Sequence, residues 1–401
     1  MTGLLLRNVV VSGRTVDVLV EDDTIVSIGT IPGDVDAPVY DLAGHVLLPG
    51  LVEPHAHLDK AFLADRVPNP SGDLMGAITG LESVRDSITH DDIVTRACRA
   101  AGMMSRNGVT SLRTHADTTL SGGLSSVEAL LETKKRCADF IDIEVAALVE
   151  WPLTGPDAEV RRDLARRAVE AGVDVIGGCP HLDPDPRAAV EWLVDLAFET
   201  GLPLDLHADE NLRPFSQDLE HLAEVLIERG APHPVNASHC VSLSTRSAAD
   251  IDRIADKVAR AGITVTALPQ TNLFLQARDP DSPAVRAITP VTRLRRAGVI
   301  VAAGADNLQD PFNPMGRGDP LEIASLMIIA AHQSVDDALG LVTTGAGRVV
   351  HRRDVAIEVG NKADLVAVRA ATVREAIATG PLDRFVVHGG VVVSDHTRNR
   401  K

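Results

Sequence analysis

Leu51-Val52-Glu53-Pro54-His55-Ala56-His57-Leu58-Asp59-Lys60 follows directly on an apolar run, Val46-Leu47-Leu48-Pro49-Gly50. The run reads as a strand of a buried sheet, and the histidines come where such a strand ends. Side chains alternate along an extended segment, so residues at i and i+2 project to one side. His55 and His57 can therefore present two imidazoles to one metal ion, through the neutral nitrogen lone pairs that zinc and iron favour. A His-x-His spacing is weak evidence alone. It gains weight because this chain repeatedly ends a strand-like run in His or Asp.

Eight such runs lie between about 46 and 306: Val46–Glu53, Val109–His115, Ile143–Val149, Val173–Gly178, Pro203–His207, Pro234–His239, Thr264–Ala267 and Val299–Asp306. Helical segments with apolar residues at i, i+3 and i+4 separate them. The clearest follows Thr89, where Thr89-x-x-Asp92 resembles a capping box, Ile93, Ala97, Ala101 and Met104 form the apolar face, and Asn107-Gly108 supply a stop. Alternating strands and helices argue a parallel sheet, and eight units in this length suit an α/β fold of the (β/α)8 TIM-barrel type. Chemistry in that fold sits at the C-terminal strand ends, where His55, His57, His115, His207, His239 and Asp306 fall. Both chain ends are different: Leu4–Ser12, Val16–Val20 and Thr24–Ile28 are β-branched runs between turn signals, and Ala363–Val368 and Phe385–Val393 echo them. The expected organisation is a small β-sandwich domain built from residues 1–48 and 351–401, around a barrel over residues 49–350.

Bulk properties narrow the function. At 401 residues and 45% hydrophobic content there is ample core, and with 2% aromatics that core is aliphatic and offers few stacking surfaces for nucleic-acid bases. A formal net charge of -17 argues against nucleic acid or an anionic membrane as partner. No run reaches transmembrane length, and the start lacks the pattern of a signal peptide. The scattered Cys98, Cys137, Cys179 and Cys240 form no Cys-x-x-Cys, which suits a reducing cytoplasm. The expected partners are a small heterocyclic molecule, water and further copies of the chain in a homo-oligomer.

Each candidate residue has a plain structural reading. His207, in Leu-Asp-Leu-His-Ala-Asp-Glu (204–210), caps the following helix or supplies a third nitrogen ligand; Glu210 is solvated or acts on a bound substrate. His239 ends Asn236-Ala-Ser-His239 in the same way. Asp306 follows Ala302-Ala-Gly-Ala, and a carboxylate in such surroundings is costly unless paired or metal-bound. Together, in strand order 1, 5, 6 and 8, these residues describe one site.

The set His55, His57, His207, His239 and Asp306 resembles the metal-dependent amidohydrolase superfamily in its one-metal subtype. The segments 43–59, 112–117, His-Ala-Asp-Glu (207–210) and 304–312 look like the bacterial cytosine deaminase branch, and 358–366 like a returning sandwich strand. The resemblance covers essentially the whole chain. The two-metal subtype carries a carboxylated lysine on the fourth strand, and Val173–Gly178 has no lysine. The unrelated cytidine-type signature, His-x-Glu with Pro-Cys-x-x-Cys, is absent. The resemblance implies that His55, His57, His207 and Asp306 hold one Zn²⁺ or Fe²⁺, whose bound water ionises near neutrality. It implies that His239 orients that water with Asp306 and that Glu210 moves protons to a ring nitrogen and the departing amine. His181, in Cys-Pro-His, resembles a substrate position, though a structural hydrogen bond is the plainer reading.

Two departures bear on substrate. Where the family has a glutamine after the third strand, this chain has Glu150, which when ionised only accepts hydrogen bonds and would prefer substrate N–H groups. Asn307 and Phe312 replace an aspartate and a tryptophan beside the ring. Isocytosine, a methylated cytosine, creatinine-like cyclic amidines and aminotriazines remain open beside cytosine. The alternative enzyme is an N-substituted aminotriazine (isopropylammelide-type) amidohydrolase, with which Asp59-Lys60 is compatible. A non-enzymatic scaffold of dihydropyrimidinase-like type would lack metal ligands, and here all four are present.

Overall fold

The computed structural model describes residues 3–33, 35–231, 233–279, 281, 285–352 and 355–396. Met1, Thr2 and residues 397–401, the outer ends of the expected terminal segments, lie outside the described residues. The middle of the chain forms eight parallel strands, each hydrogen-bonded to the next: β1 (Leu51–Ala56), β2 (Val109–Thr118), β3 (Asp142–Val149), β4 (Val175–Gly178), β5 (Leu204–Ala208), β6 (Val235–His239), β7 (Thr264–Ala267) and β8 (Val301–Ala303). The barrel closes where the Asp306 N–H donates to the His55 carbonyl at 3.0 Å, beside an Ala56–Asp306 bridge. The Glu53 carboxylate reinforces this seam from inside, accepting the N–H groups of Ala305 and His55.

Helices between the strands lay their apolar stripes on the barrel wall. His90–Arg106 starts where the Thr89 hydroxyl accepts the Asp92 N–H at 3.3 Å, and it buries Ile93, Ala97, Ala101 and Met104. Full burial of each large apolar side chain contributes about 1.5–3 kcal/mol. No helix among the described residues is long and apolar enough to cross a membrane.

Strands from both chain ends make a second, mixed sheet. Gly3–Val11 pairs with Arg14–Glu21, which pairs with Thr24–Gly29; on the other side His45–Pro49 pairs with Leu365–Arg369, followed by the hairpin Arg384–His388 and Val391–Asp395. Leu6 and Val18 from one half share a core with Leu47, Leu365 and Phe385 from the other, so the sheet packs on itself as a sandwich.

The structure corrects one expectation. Val46–Glu53 is not one strand: His45–Pro49 belongs to the terminal sheet and Leu51–Ala56 opens the barrel. Gly50 is the crossing point, with its N–H on the Asp364 carbonyl at 2.7 Å and no room for a side chain, since a Cβ would lie 2.3 Å from Thr110 Oγ1. Both strands are buried nearly throughout, so no polar alternation marked the break.

Candidate metal centre

The C-terminal strand ends bring three imidazoles together and set the Asp306 carboxylate against two of them. His55 and His57 leave β1 on the same side, His207 comes from β5, and Asp306 follows β8. Nε2 of His57 lies 3.3 Å from Nε2 of His55 and 3.3 Å from Nε2 of His207, and Asp306 Oδ1 is 3.3 Å from His57 Nε2 and 3.6 Å from His55 Nε2. Tetrahedral donors about 2.0–2.1 Å from a shared ion would stand roughly 3.3–3.4 Å apart. All four residues are at most 6% exposed, and both Asp306 oxygens are buried without a hydrogen-bond partner. Orphaned buried carboxylate oxygens beside three imidazoles fit a divalent cation in both charge and ligand type. Burial, and then the neighbouring imidazoles, hold His55 and His207 well below the ordinary histidine pKa, so both rings are neutral. Their lone pairs are available.

Two of the key residues sit on uncommon backbone. His239 has φ 69° and Asp306 φ 63°, in the left-handed region that costs a non-glycine residue about 1–3 kcal/mol. The turn at each strand end swings the side chain back over the barrel mouth.

Glu210 and His239 flank the cluster. Burial and then the charge of Asp306 push the Glu210 carboxyl well above its ordinary pKa. Its oxygens lie 3.6 Å from His239 Nδ1 and 3.8 Å from His181 Nε2. His239 is lowered to about 4, chiefly by burial, and its buried Nε2 has no partner.

A cavity of about 980 Å³, counting its open mouth, reaches from solvent to His57, His207, His239 and Asp306. Glu150, Asn307 and Phe312 line it. Glu150 Oε2 accepts the Leu120 N–H at 2.9 Å and Arg161 Nε at 3.1 Å, leaving Oε1 as the atom for other contacts. Asn307 donates to Asp310 at 2.8 Å and accepts from the Thr271 hydroxyl. Phe312 is packed among Leu63, Val67 and Leu81. His181 is not among the lining residues of this cavity: its Nδ1–H donates to the His207 carbonyl at 3.0 Å, and its Nε2 lies beside a second chamber that shares Leu74, Leu182 and Glu210 with the first.

Two groups were not among the site residues expected from the sequence. Lys60 Nζ is buried in the cavity wall, 2.6 Å from Asp117 Oδ1 and 3.2 Å from His57 Nδ1. Burial alone would lower its pKa, but Asp117 and Asp59 keep the ammonium charged. Its position three residues beyond His57 was the available signal. Asn272, in the helix after β7, sets its side-chain amide 3.0 Å from His239 Nδ1. Nothing in the pattern of Pro269-Gln-Thr-Asn272 points to that contact.

The amidohydrolase family profile matches residues 80–393. A pterin deaminase of Rhizobium rhizogenes is 31% identical, over 98% of this chain and 88% of its own length. The crystal structure of 5-methylcytosine deaminase from Klebsiella pneumoniae liganded with phosphonocytosine superposes with a TM-score of 0.88 at 29% identity, covering 100% of both chains. That of N-isopropylammelide isopropylaminohydrolase from Burkholderia multivorans gives 0.84 at 29% identity, covering 99% of each.

Proposed function

The chain belongs to the amidohydrolase family, and from that premise we propose that it is a metal-dependent hydrolytic deaminase of a cytosine-like nucleobase or related cyclic amidine, releasing ammonia. One arrangement carries the reading: Glu210, a buried carboxyl whose pKa is pushed up by burial and by Asp306, stands beside the cluster of His55, His57, His207 and Asp306 in a cavity with room for a small heterocycle.

In this proposal His55, His57, His207 and Asp306 hold one divalent ion, zinc or iron by donor type. When bound, it supplies Lewis-acid activation of water. The chain's own groups do the rest. Protonated Glu210 donates to the ring nitrogen of the amidine, making the adjacent carbon more electrophilic. His239, with Nε2 facing the cavity, and Asp306 orient the attacking water and take up its proton. Glu210, now ionised, takes the remaining proton of the added hydroxyl and passes it to the exocyclic nitrogen, which leaves as ammonia while the carbon becomes a carbonyl; the first water proton then returns to Glu210. Water supplies the oxygen and two hydrogens, so the atoms balance. Glu150, through Oε1, Asn307 and Phe312 are assigned to the ring, and His181 to the substrate edge nearest Glu210 while it holds the His207 backbone.

Cys98, Cys137, Cys179 and Cys240 are all free thiols, which supports a reducing, cytoplasmic setting. A homo-oligomer is part of the same proposal, checked by light scattering.

The second reading, hydrolysis of an N-substituted aminotriazine, is supported by the Burkholderia structure and by charged Lys60 in the cavity wall. The deciding experiment measures the released amine from the metal-reconstituted enzyme on cytosine, 5-methylcytosine, isocytosine, creatinine, pterin and N-isopropylammelide. The continuation of the cavity past Glu210 makes the two-ring pterin a necessary member. Ammonia from a ring amidine is expected. Isopropylamine alone would transfer the assignment to the triazine reading. Release of neither amine, from a protein that binds no metal, would sink the enzymatic one.

A further inference from the structure

Beneath the four donors the barrel interior is polar. Arg113 of β2 donates to Asp205 Oδ2 of β5 at 2.8 Å, and Asp205 Oδ1 accepts from the Ser238 hydroxyl of β6 at 2.9 Å. Ser238 Oγ in turn lies 2.9 Å from His55 Nδ1. Each of these residues is at most 1% exposed, so every proton in the chain has to be placed within the protein.

The placement is determined. Asn236 Oδ1 accepts from the hydroxyls of Thr264 at 2.9 Å and Thr266 at 3.1 Å. Its amide nitrogen therefore faces Asp205 Oδ1 and Ser238 Oγ, at 2.8 and 3.0 Å. Asp205, ion-paired with Arg113, only accepts. The single Ser238 hydrogen goes to Asp205, one lone pair takes the Asn236 amide, and the other can be filled only by an N–H from His55. The ring is thereby fixed with its proton on Nδ1 and a free lone pair on Nε2, the atom that faces His57 and Asp306.

We infer that Ser238 and Asp205 are positioning residues for the metal ligand His55, holding its ring in the orientation and tautomer that a cation needs. Partners of this kind, one bond removed from the metal, typically account for 10–100-fold in metal affinity. The inference rests on the reading of His55 as a metal ligand, and its two tests separate the failure of one from the failure of the other.

The first test needs no metal. Long-range ¹⁵N–¹H spectra of imidazoles in the metal-free protein should show His55 protonated at Nδ1, and Ser238→Ala should lose that fixed state. The second titrates Zn²⁺ against a chromophoric chelator. Ser238→Ala should weaken zinc binding roughly 10–100-fold, with the melting temperature of the metal-free protein little changed, while Ser238→Thr, which keeps the hydroxyl, should bind near the wild-type level. A wild-type His55 protonated at Nε2 would overturn the inference. So would a Ser238→Ala protein that is less stable yet binds zinc as the wild type does, since that is the mark of a merely structural hydroxyl. Wild-type protein that binds no zinc would instead sink the metal-centre reading, leaving the tautomer measurement to decide the role of Ser238.

Discussion

Glu210 combines two conditions that seldom meet in one side chain: deep burial, and a second carboxylate, Asp306, close enough to oppose its ionisation. Both push its pKa upward, the direction a general acid working near neutrality requires. Glu210→Gln keeps the volume and one hydrogen-bond donor but cannot pass a proton on. The expected result is a loss of roughly 10²–10⁴-fold in kcat on the ring amidine, with zinc affinity unchanged, because Glu210 is not one of the four donors. A variant retaining more than about a tenth of wild-type activity would remove Glu210 from the proton path, since general acid–base contributions are larger than that. The histidines make the complementary case. His55 and His207, kept neutral by burial and by the neighbouring imidazoles, offer lone pairs as the proposed metal ligands rather than protons.

At the level of elements, the site depends on how β1 and β8 meet. Glu53 spans the seam, holding the His55 and Ala305 N–H groups from one carboxylate and thereby fixing the ends of both strands. Gly304 makes room for it: a Cβ there would come within 2.4 Å of Glu53 Oε1 and 3.2 Å of Leu268 Cδ2. Gly304→Ala should therefore displace Glu53, destabilise the fold by about 1–3 kcal/mol as overpacked cores do, and lower zinc occupancy. Urea denaturation and metal analysis read the two effects, and unchanged occupancy would separate the seam from the site. This seam also marks where sequence reasoning stopped. Strands that end in His or Asp were legible, because alternation and the C-terminal rule place chemistry at their ends. The Thr89 cap and the Ile93–Met104 stripe were legible for the same local reasons. The change of sheet at Gly50 was not, since its cause is the distant Thr110. Asn272 and Ser238 act through partners 33 and 183 residues away, and such contacts leave no periodicity.

Across the whole molecule, the barrel and the terminal sheet are joined through buried or half-buried ion pairs, and these set its acid tolerance. Asp364 of the terminal sheet receives Arg352 Nη1 at 2.5 Å, and Arg352 also donates to Ser111 of β2 at 2.8 Å. Glu144 of β3 holds Arg113 at 2.7 Å and stands 3.4 Å from His351. Burial alone would raise both carboxyls; instead His388 and Arg352 keep Asp364 well below the usual carboxylate range, and Arg113 and His351 bring Glu144 down to about 2. The sign follows from proton linkage. A carboxyl whose folded pKa is depressed stabilises the fold above its unfolded pKa, roughly 4 for these groups, and loses that contribution as pH falls toward the folded value. For Glu144 the drop from 4.5 to about 2 corresponds to on the order of 3 kcal/mol. The contribution of these two carboxyls should therefore be level near neutrality and fall steeply between about pH 4.5 and 2. Glu144→Gln and Asp364→Asn should each lower stability at pH 7 and flatten that acid limb, with melting temperatures across the pH range as the readout. The same steep limb in both variants would place the acid-labile groups elsewhere. A flattened limb in Asp364→Asn alone would locate the weakness between the two sheets rather than inside the barrel.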